Sequence, residues 1–90
     1  MAIRQDIVDA ITSERDKQHV KWGKAHRWGW GDCSSKEVMP IVKAGVLAEE
    51  CGEVARAVLD GDEAGLRREL VQVAAVAVAW LETYGNKKGA

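Results

Sequence analysis

Two short groups of polar side chains have the residue types and spacing of a divalent-metal site. The first contains Glu49, Glu50 and Glu53, and the second contains Glu69 and Gln72 after fifteen intervening residues. Both groups fall in strongly helical sequence, where residues three or four positions apart share a face. Two antiparallel helices could therefore direct the carboxylates of Glu50, Glu53 and Glu69 and the amide oxygen of Gln72 into one gap. Hard oxygen ligands of this kind suit Mg²⁺ or Mn²⁺, ions that commonly accompany phosphate groups.

The apolar surroundings of these side chains strengthen the metal hypothesis, because a Glu-x-x-Glu pair alone is typical of a solvated helix face. Glu50 and Glu53 lie between apolar neighbours on their helix, and Gln72 is the one polar residue between Leu70 and Leu81. Buried carboxylates without a partner are costly, and a buried amide needs a hydrogen-bond or metal partner. We therefore expect a cation close to these groups.

Three helices are predicted to position the candidate ligands. Apolar periodicity places them at residues 2–20, 40–59 and 63–84. A glycine-interrupted loop is expected at 23–35. Gly61 suits the position after the second helix, and Asp62 suits the N-cap of the third. The fold class is therefore expected to be all-α.

Composition limits the class of protein. The 90 residues form one predicted domain, 1–90, with a net charge of −1, 47% hydrophobic residues and two cysteines. This balance gives no global electrostatic reason to expect a nucleic acid polymer as partner. No secretory leader and no membrane-spanning apolar run are recognised, so we expect a soluble, cytoplasmic protein with reduced thiols.

The third predicted helix is apolar on all sides, apart from Gln72, from Leu70 to Leu81. Such a helix must be covered on all sides, which three helices in one short chain do poorly. The sequence therefore predicts a homo-oligomer, and the alanines of this helix would allow close helix approach.

The two acidic groups resemble the EExxE…ExxD signature of the MazG-like all-α nucleoside triphosphate pyrophosphohydrolases. Glu14, Arg15, Gln18 and the run Lys21-Trp22-Gly23 also resemble the ERxxQxxKWG segment of small, phage-type MazG-like proteins. The resemblance covers most of the chain. It implies dimers or tetramers in which three main helices per chain complete four-helix-bundle-like packing.

The resemblance also implies an activity: Mg²⁺-dependent hydrolysis of a (d)NTP to (d)NMP and pyrophosphate by metal-activated water. By matching position, Glu50, Glu53, Glu69 and Gln72 would be metal ligands. Glu49 would help to bind a further metal or activate water, which makes Glu49, Glu50 and Glu53 the catalytic candidates.

Gln72 departs from the family pattern, which has aspartate there. An amide oxygen brings no charge, so the remaining ligands and the substrate phosphates would have to compensate. The alternative is a catalytically weakened helical module that binds nucleotide or a protein partner without turnover. A phosphoribosyl-ATP pyrophosphohydrolase shares the carboxylate pattern, although the ERxxQxxKWG segment argues against it.

The remaining candidates are bases and aromatic residues around the predicted loop. The stripe of the first helix turns from isoleucines to polar and aromatic residues, so this end either reaches solvent or lines a pocket. The substrate-binding candidates are Arg15, Gln18, Lys21 and Trp22. Trp28 and Trp30 could stack a base or fill the core. Irregular spacing of His19, His26 and Cys33 argues against zinc.

Overall fold

The structure is a computed structural model that describes residues 2–85. It contains three long helices, α1 (Gln5–Trp22), α2 (Pro40–Leu59) and α3 (Glu63–Glu82). A short antiparallel hairpin, β1 (Ala25–His26) and β2 (Gly29–Trp30), follows α1. The prediction of three main helices is confirmed. Helix α3 packs against both α1 and α2, so it forms the centre of the bundle.

Local sequence explains the bounds of α2 and α3. Pro40 is the first residue of α2, where its fixed φ and missing N–H are tolerated. Gly61 follows α2 with φ +66°, a left-handed conformation that favours glycine. The Asp62 carboxylate then accepts a hydrogen bond from the Gly65 backbone N–H at 2.9 Å and caps α3. The predicted span of α2 and both capping assignments are confirmed.

The ends of the other helices differ from prediction by a few residues. Helix α1 starts at Gln5, because Arg4 has extended backbone angles. It continues to Trp22, two residues beyond the predicted end. Helix α3 stops at Glu82, because residues 83–85 form a turn that ends at Gly85 with φ +62°.

The hairpin corrects the prediction of an irregular loop over residues 23–35. Ala25 pairs with Trp30 and His26 with Gly29, and the Gly31 N–H donates to the Lys24 carbonyl at 3.0 Å. Gly29 has φ +128°, and a Cβ there would lie 2.7 Å from the carbonyl oxygen of Glu37. The hairpin therefore needs a glycine at this position both for its backbone angles and for its close approach to the following segment.

The core of the described chain is small and rich in alanine. Its buried apolar side chains are those of Val38, Ala57, Ala75, Val76 and Ala79. Small side chains at Ala57 and Ala75 permit close helix packing. Many larger apolar side chains stay exposed, among them Val20, Ile41, Leu59 and Leu81, each at least 66% exposed. The packing of a single chain thus leaves much apolar surface in contact with solvent.

A buried lysine joins α2 to the end of α3. Lys43 is 1% exposed, and its Nζ donates to the Thr83 hydroxyl at 2.6 Å. That hydroxyl donates in turn to the Cys33 carbonyl at 3.1 Å. Burial lowers the pKa of Lys43, with the nearby Cys33 and Asp32 acting in the opposite direction. This chain of bonds holds the segment before α2 against the helical bundle.

None of the helices formed by residues 2–85 combines the length and the apolar character needed to cross a membrane. Cys33 and Cys51 are both free thiols.

Candidate functional site

A cleft lies between α1 and α2, with α3 as its floor. Its volume is about 440 Å³, within the range of small-molecule sites. Helix α1 contributes Glu14, Lys17, Gln18, Lys21 and Trp22, while α2 contributes Val42, Val46, Glu49 and Glu50. The floor consists of Gln72 and Val76. His26, Trp28 and the 31–33 segment close one end. Charged and aromatic groups from distant parts of the sequence thus meet around one space.

The Gln72 amide joins two of the predicted ligands. With its nitrogen facing the carboxylates, it donates to Glu50 Oε2 at 2.8 Å and to Glu69 Oε2 at 3.1 Å. The opposite orientation would place the amide oxygen against carboxylate oxygens, which repel it unless a cation lies between them. In the first orientation Gln72 bridges Glu50 and Glu69 as a hydrogen-bond donor; in the second its amide oxygen faces both carboxylates, as the predicted role as a metal ligand requires.

The surroundings of Glu50 disfavour its charged form. Burial raises the pKa of Glu50, and the nearby Glu69, Glu49, Glu53 and Glu14 raise it further. Within residues 2–85, no lysine or arginine forms an ion pair with any of these five glutamates. The site therefore concentrates negative charge that its own side chains leave uncompensated.

The donor chemistry of this site fits a hard divalent cation. Carboxylate oxygens dominate it, Gln72 can turn its oxygen inward, and a cation would relieve the repulsion around Glu50. In the described part of the chain, however, no three His, Cys, Asp or Glu side chains are close enough to form a metal-binding group. Full coordination would therefore require side-chain rotation, substrate oxygens or water in addition to Glu50 and Glu69.

The structure brings together only some of the predicted metal and catalytic residues. Glu49, Glu50 and Gln72 line the cleft, but Glu53 and Glu69 do not. Glu53 is exposed, whereas Glu69 is half-buried and lies within hydrogen-bonding distance of the Gln72 amide. Both still raise the pKa of Glu50, so they belong to the same electrostatic cluster.

The predicted substrate-binding residues divide in the same way. Gln18, Lys21 and Trp22 line the cleft, with the Lys21 ammonium 5.3 Å from the centre of the Trp22 ring. Trp28 lines it as well, whereas Trp30 lies outside it and is 51% exposed. Arg15 also lies outside the cleft lining. The first helix therefore does carry a polar and aromatic stripe into a pocket, as one of its two interpretations predicted.

Arg15 is occupied by an internal ion-pair network. Its Nη1 lies 3.0 Å from Asp32 Oδ2 and its Nε lies 2.8 Å from Glu82 Oε1. The Arg15 and Asp32 side chains are 13% and 4% exposed, so the pair is well shielded from water. Burial alone would raise the pKa of Asp32, but hydrogen bonds from the Ser34 hydroxyl and backbone and from Arg15 lower it to about 2. This network holds the 31–35 segment against α1 and α3.

The structure adds Lys17 and Asp32 to the candidates and places Glu14 and His26 in the same cleft lining. Glu14 and Lys17 line the cleft one helical turn before Gln18 and Lys21, a spacing that could have suggested a shared face. Asp32 and His26 come from irregular or hairpin sequence, where no periodic signal identifies them. Their positions depend on contacts between segments that are distant along the chain.

Comparison of the chain with protein-family models, with curated proteins and with solved structures finds no match.

Proposed function

We propose that this chain is a Mg²⁺-dependent nucleoside triphosphate pyrophosphohydrolase that hydrolyses a (d)NTP to a (d)NMP and pyrophosphate. The observation that supports this most is the composition of the α1–α2 cleft. One wall presents Glu49 and Glu50 above Gln72, and the other presents Lys17 and Lys21 next to tryptophan. A nucleotide has the matching parts: a base that stacks, and phosphates that bind both lysine and divalent metal. The sequence resemblance to MazG-like enzymes favours the same reaction.

The residues of α1 and the hairpin would bind and orient the nucleotide. Trp22 and Trp28 offer ring faces for a base, and stacking of this kind tolerates different bases. Lys17 and Lys21 lie one turn apart on α1, where their ammonium groups can bind successive phosphates. Gln18 offers an amide between them.

The acidic wall would hold the metal and the attacking water. Glu50 and Glu69 would bind Mg²⁺, or Mn²⁺ in its place, with the Gln72 oxygen turned towards them and Glu53 as a further ligand after rotation. Bound Mg²⁺ would neutralise the phosphates and lower the pKa of a coordinated water. Glu49 lines the cleft and would accept a proton from the water that attacks the α-phosphorus.

The oligomeric state belongs to the same proposal. Apolar side chains such as Ile41, Leu59, Leu70 and Leu81 are at least 51% exposed on the single chain. A dimer or tetramer of this chain would cover them and complete a four-helix arrangement. Light scattering tests this part, because a monomer at micromolar concentration would contradict it.

A panel of NTPs and dNTPs tests the activity. With Mg²⁺ or Mn²⁺ we expect pyrophosphate release, reduced at least about 100-fold in Glu50→Gln, since that variant loses a charged ligand. Glu63→Gln is the matched control, because Glu63 is an exposed residue in the first turn of α3, away from the cleft. A folded wild-type protein that releases no pyrophosphate from any member of the panel would contradict the proposal.

The second candidate is a module that binds nucleotide without hydrolysing it. The bridging Gln72 amide favours this alternative, because it gives Glu50 and Glu69 one hydrogen-bond donor each from within the chain. Calorimetry with Mg²⁺ and a nucleotide blocked between its α and β phosphates separates the two candidates. Tight nucleotide binding with no need for metal, combined with no turnover of ordinary nucleotides, would support the module.

A further inference from the structure

We propose that His26 is a positioning residue: as a neutral imidazole with its proton on Nε2, it holds Trp22 and Trp28 at the aromatic end of the cleft. Protonation of the ring would release Trp28 and weaken ligand binding. This inference rests on the proposed function, because it concerns how the same cleft binds a nucleotide. His26 lies outside both sequence motifs, yet it would control the positions of Trp22 and Trp28.

Two hydrogen bonds determine the tautomer of His26. Its Nε2 lies 2.7 Å from the Gly31 carbonyl oxygen, which can only accept, so Nε2 carries the proton. Its Nδ1 lies 3.2 Å from the Trp28 backbone nitrogen, which can only donate, so Nδ1 carries none. Both bonds are satisfied by a single neutral form of the ring.

The same ring also contacts Trp22. The two ring centroids are 5.7 Å apart and the planes are nearly perpendicular, at 85°. His26 therefore connects the last residue of α1 with the turn of the hairpin. Lys21 lies over the Trp22 ring, and the Arg27 guanidinium lies 4.7 Å from the centre of the Trp28 ring. Each tryptophan ring thus has a cation over its face, and His26 contacts the Trp22 ring while it accepts a hydrogen bond from the Trp28 backbone N–H.

Protonation would break this arrangement at one atom. A second N–H, on Nδ1, would point at the Trp28 N–H, so one hydrogen bond would be lost and the hairpin turn would have to move. The imidazolium would also add a positive charge to an end of the cleft where Lys21 and Arg27 already lie over the Trp22 and Trp28 rings. The other charged or titratable groups that face the cleft are Glu14 and Lys17 of α1, Asp32 and Cys33 of the following segment, and Glu49 and Glu50 of α2. Helix α3 contributes only the uncharged Gln72 and Val76.

Binding of a non-hydrolysable (d)NTP with Mg²⁺, measured by calorimetry at pH 8 and pH 5.5, tests the inference. Protonation of His26 would remove the bond from the Trp28 N–H, and the loss of one net hydrogen bond should weaken binding about fivefold to tenfold. The nucleotide phosphates and the carboxylates titrate in every variant, so the difference between wild type and variant is the informative quantity.

Two substitutions separate the functions of the ring nitrogens. His26→Asn retains an acceptor near the Nδ1 position and cannot be protonated there, so we expect it to bind with a weaker pH dependence than wild type. His26→Gln retains a donor near the Nε2 position but offers no acceptor to Trp28, so it should bind weakly at both pH values. His19→Asn is the control for the chain's other histidine, whose Nδ1 lies 3.4 Å from Asp32 Oδ2, and it should keep the wild-type pH dependence.

An NMR titration without nucleotide distinguishes a failure of this inference from a failure of the proposed function. The indole N–H signals of Trp22 and Trp28, assigned with single Trp→Phe variants, should shift together with the His26 imidazole signals as pH falls. Unchanged indole signals during His26 protonation, or wild-type affinity in His26→Gln, would overturn the role of His26. Absence of nucleotide binding at every pH would refute the proposed function, while the indole signals would still decide the role of His26.

Discussion

Replacing Gln72 with glutamate tests most directly whether the Gln72 amide bridges the carboxylates of Glu50 and Glu69. The substitution keeps the side-chain length but exchanges an amide that donates to Glu50 and Glu69, at 2.8 and 3.1 Å, for a third carboxyl group. We expect a less stable metal-free protein and a stronger stabilisation by Mg²⁺. Gln72→Asp supplies the residue expected from the family resemblance. It should also be less stable without metal and more strongly stabilised by Mg²⁺, although its side chain is one carbon shorter.

The size of the effect follows from the two lost bonds. Hydrogen bonds to charged groups contribute about 1.5–3 kcal/mol each. Gln72, Glu50 and Glu69 are only half-buried, so the lower end of this range applies and the loss is about 3 kcal/mol in total. Repulsion from the added carboxylate increases it, until the group takes up a proton instead. For a domain of this size, 3 kcal/mol corresponds to a fall of about 12 °C or more in Tm.

Thermal unfolding of wild type and variant, in EDTA and in about 10 mM Mg²⁺, measures both effects. Ligand binding to the native state raises its stability in proportion to RT ln(1 + [L]/Kd). The variant should therefore recover more of its Tm on addition of Mg²⁺ than wild type gains. If the variant melts like wild type in EDTA, Gln72 does not bridge the two carboxylates.

Gln5→Glu is the matched control for added charge. Gln5 also donates to a carboxylate, that of Asp9, at 2.8 Å, but both residues are exposed in the first turns of α1. An added negative charge at a helix N-terminus is tolerated or favourable. We expect a change within about 0.5 kcal/mol and no specific response to Mg²⁺. A large loss in the control as well would mean that the effect at Gln72 reflects general charge repulsion.

Three further predictions concern single ionisable groups. Asp32→Asn should lower the free energy of unfolding at pH 7 by about 2 kcal/mol, measured by urea unfolding. The pKa of Asp32 is lowered from 3.8 to about 2, so its contribution to stability is present above pH 3.8 and is lost as pH falls towards 2. An unchanged acid transition in the variant would contradict this. Glu50→Gln should flatten the dependence of unfolding free energy on pH above pH 4.5, measured without added metal. The pKa of Glu50 is raised, so the stability of the wild-type protein falls as Glu50 ionises. If the variant loses stability with rising pH as steeply as wild type, Glu50 is not the cause of that loss. Lys43→Met should leave the stability at pH 7 unchanged or raise it. Burying the Lys43 ammonium is costly, and its hydrogen-bond partner is the neutral Thr83 hydroxyl. A loss of stability above about 2 kcal/mol would show that the protein needs this charge.

Local sequence signals were sufficient to predict the helices. Pro40, Gly61 and Asp62 act through their own backbone geometry and their immediate neighbours, so the start of α2 and the α2–α3 turn were predicted correctly. The hairpin was missed because its two strands are only two residues long, too short for an alternating pattern. Its Gly29 depends on the approach of the Glu37 backbone, which is not a local property.

Spacing on a helix also predicted part of the cleft. Glu50 and Gln72 were expected near each other, and they are. Whether Glu49 or Glu53 accompanies Glu50 into the cleft depends on which face of α2 the tertiary packing turns towards the cleft, since both residues are close neighbours of Glu50 on the same helix. The structure places Glu49 in the lining and leaves Glu53 exposed.

The sequence by itself determined where the helices lie, which helix faces are apolar and which residues are available for metal and phosphate chemistry. Only the tertiary structure decided how the charges pair. Arg15, a candidate for substrate binding, pairs with Asp32, which is 17 residues away, and with Glu82, which is 67 residues away. Helical periodicity relates residues within a few turns of one another. Ion pairs and tautomers depend on which distant segments the packed bundle brings within about 3 Å, and no local pattern records that distance.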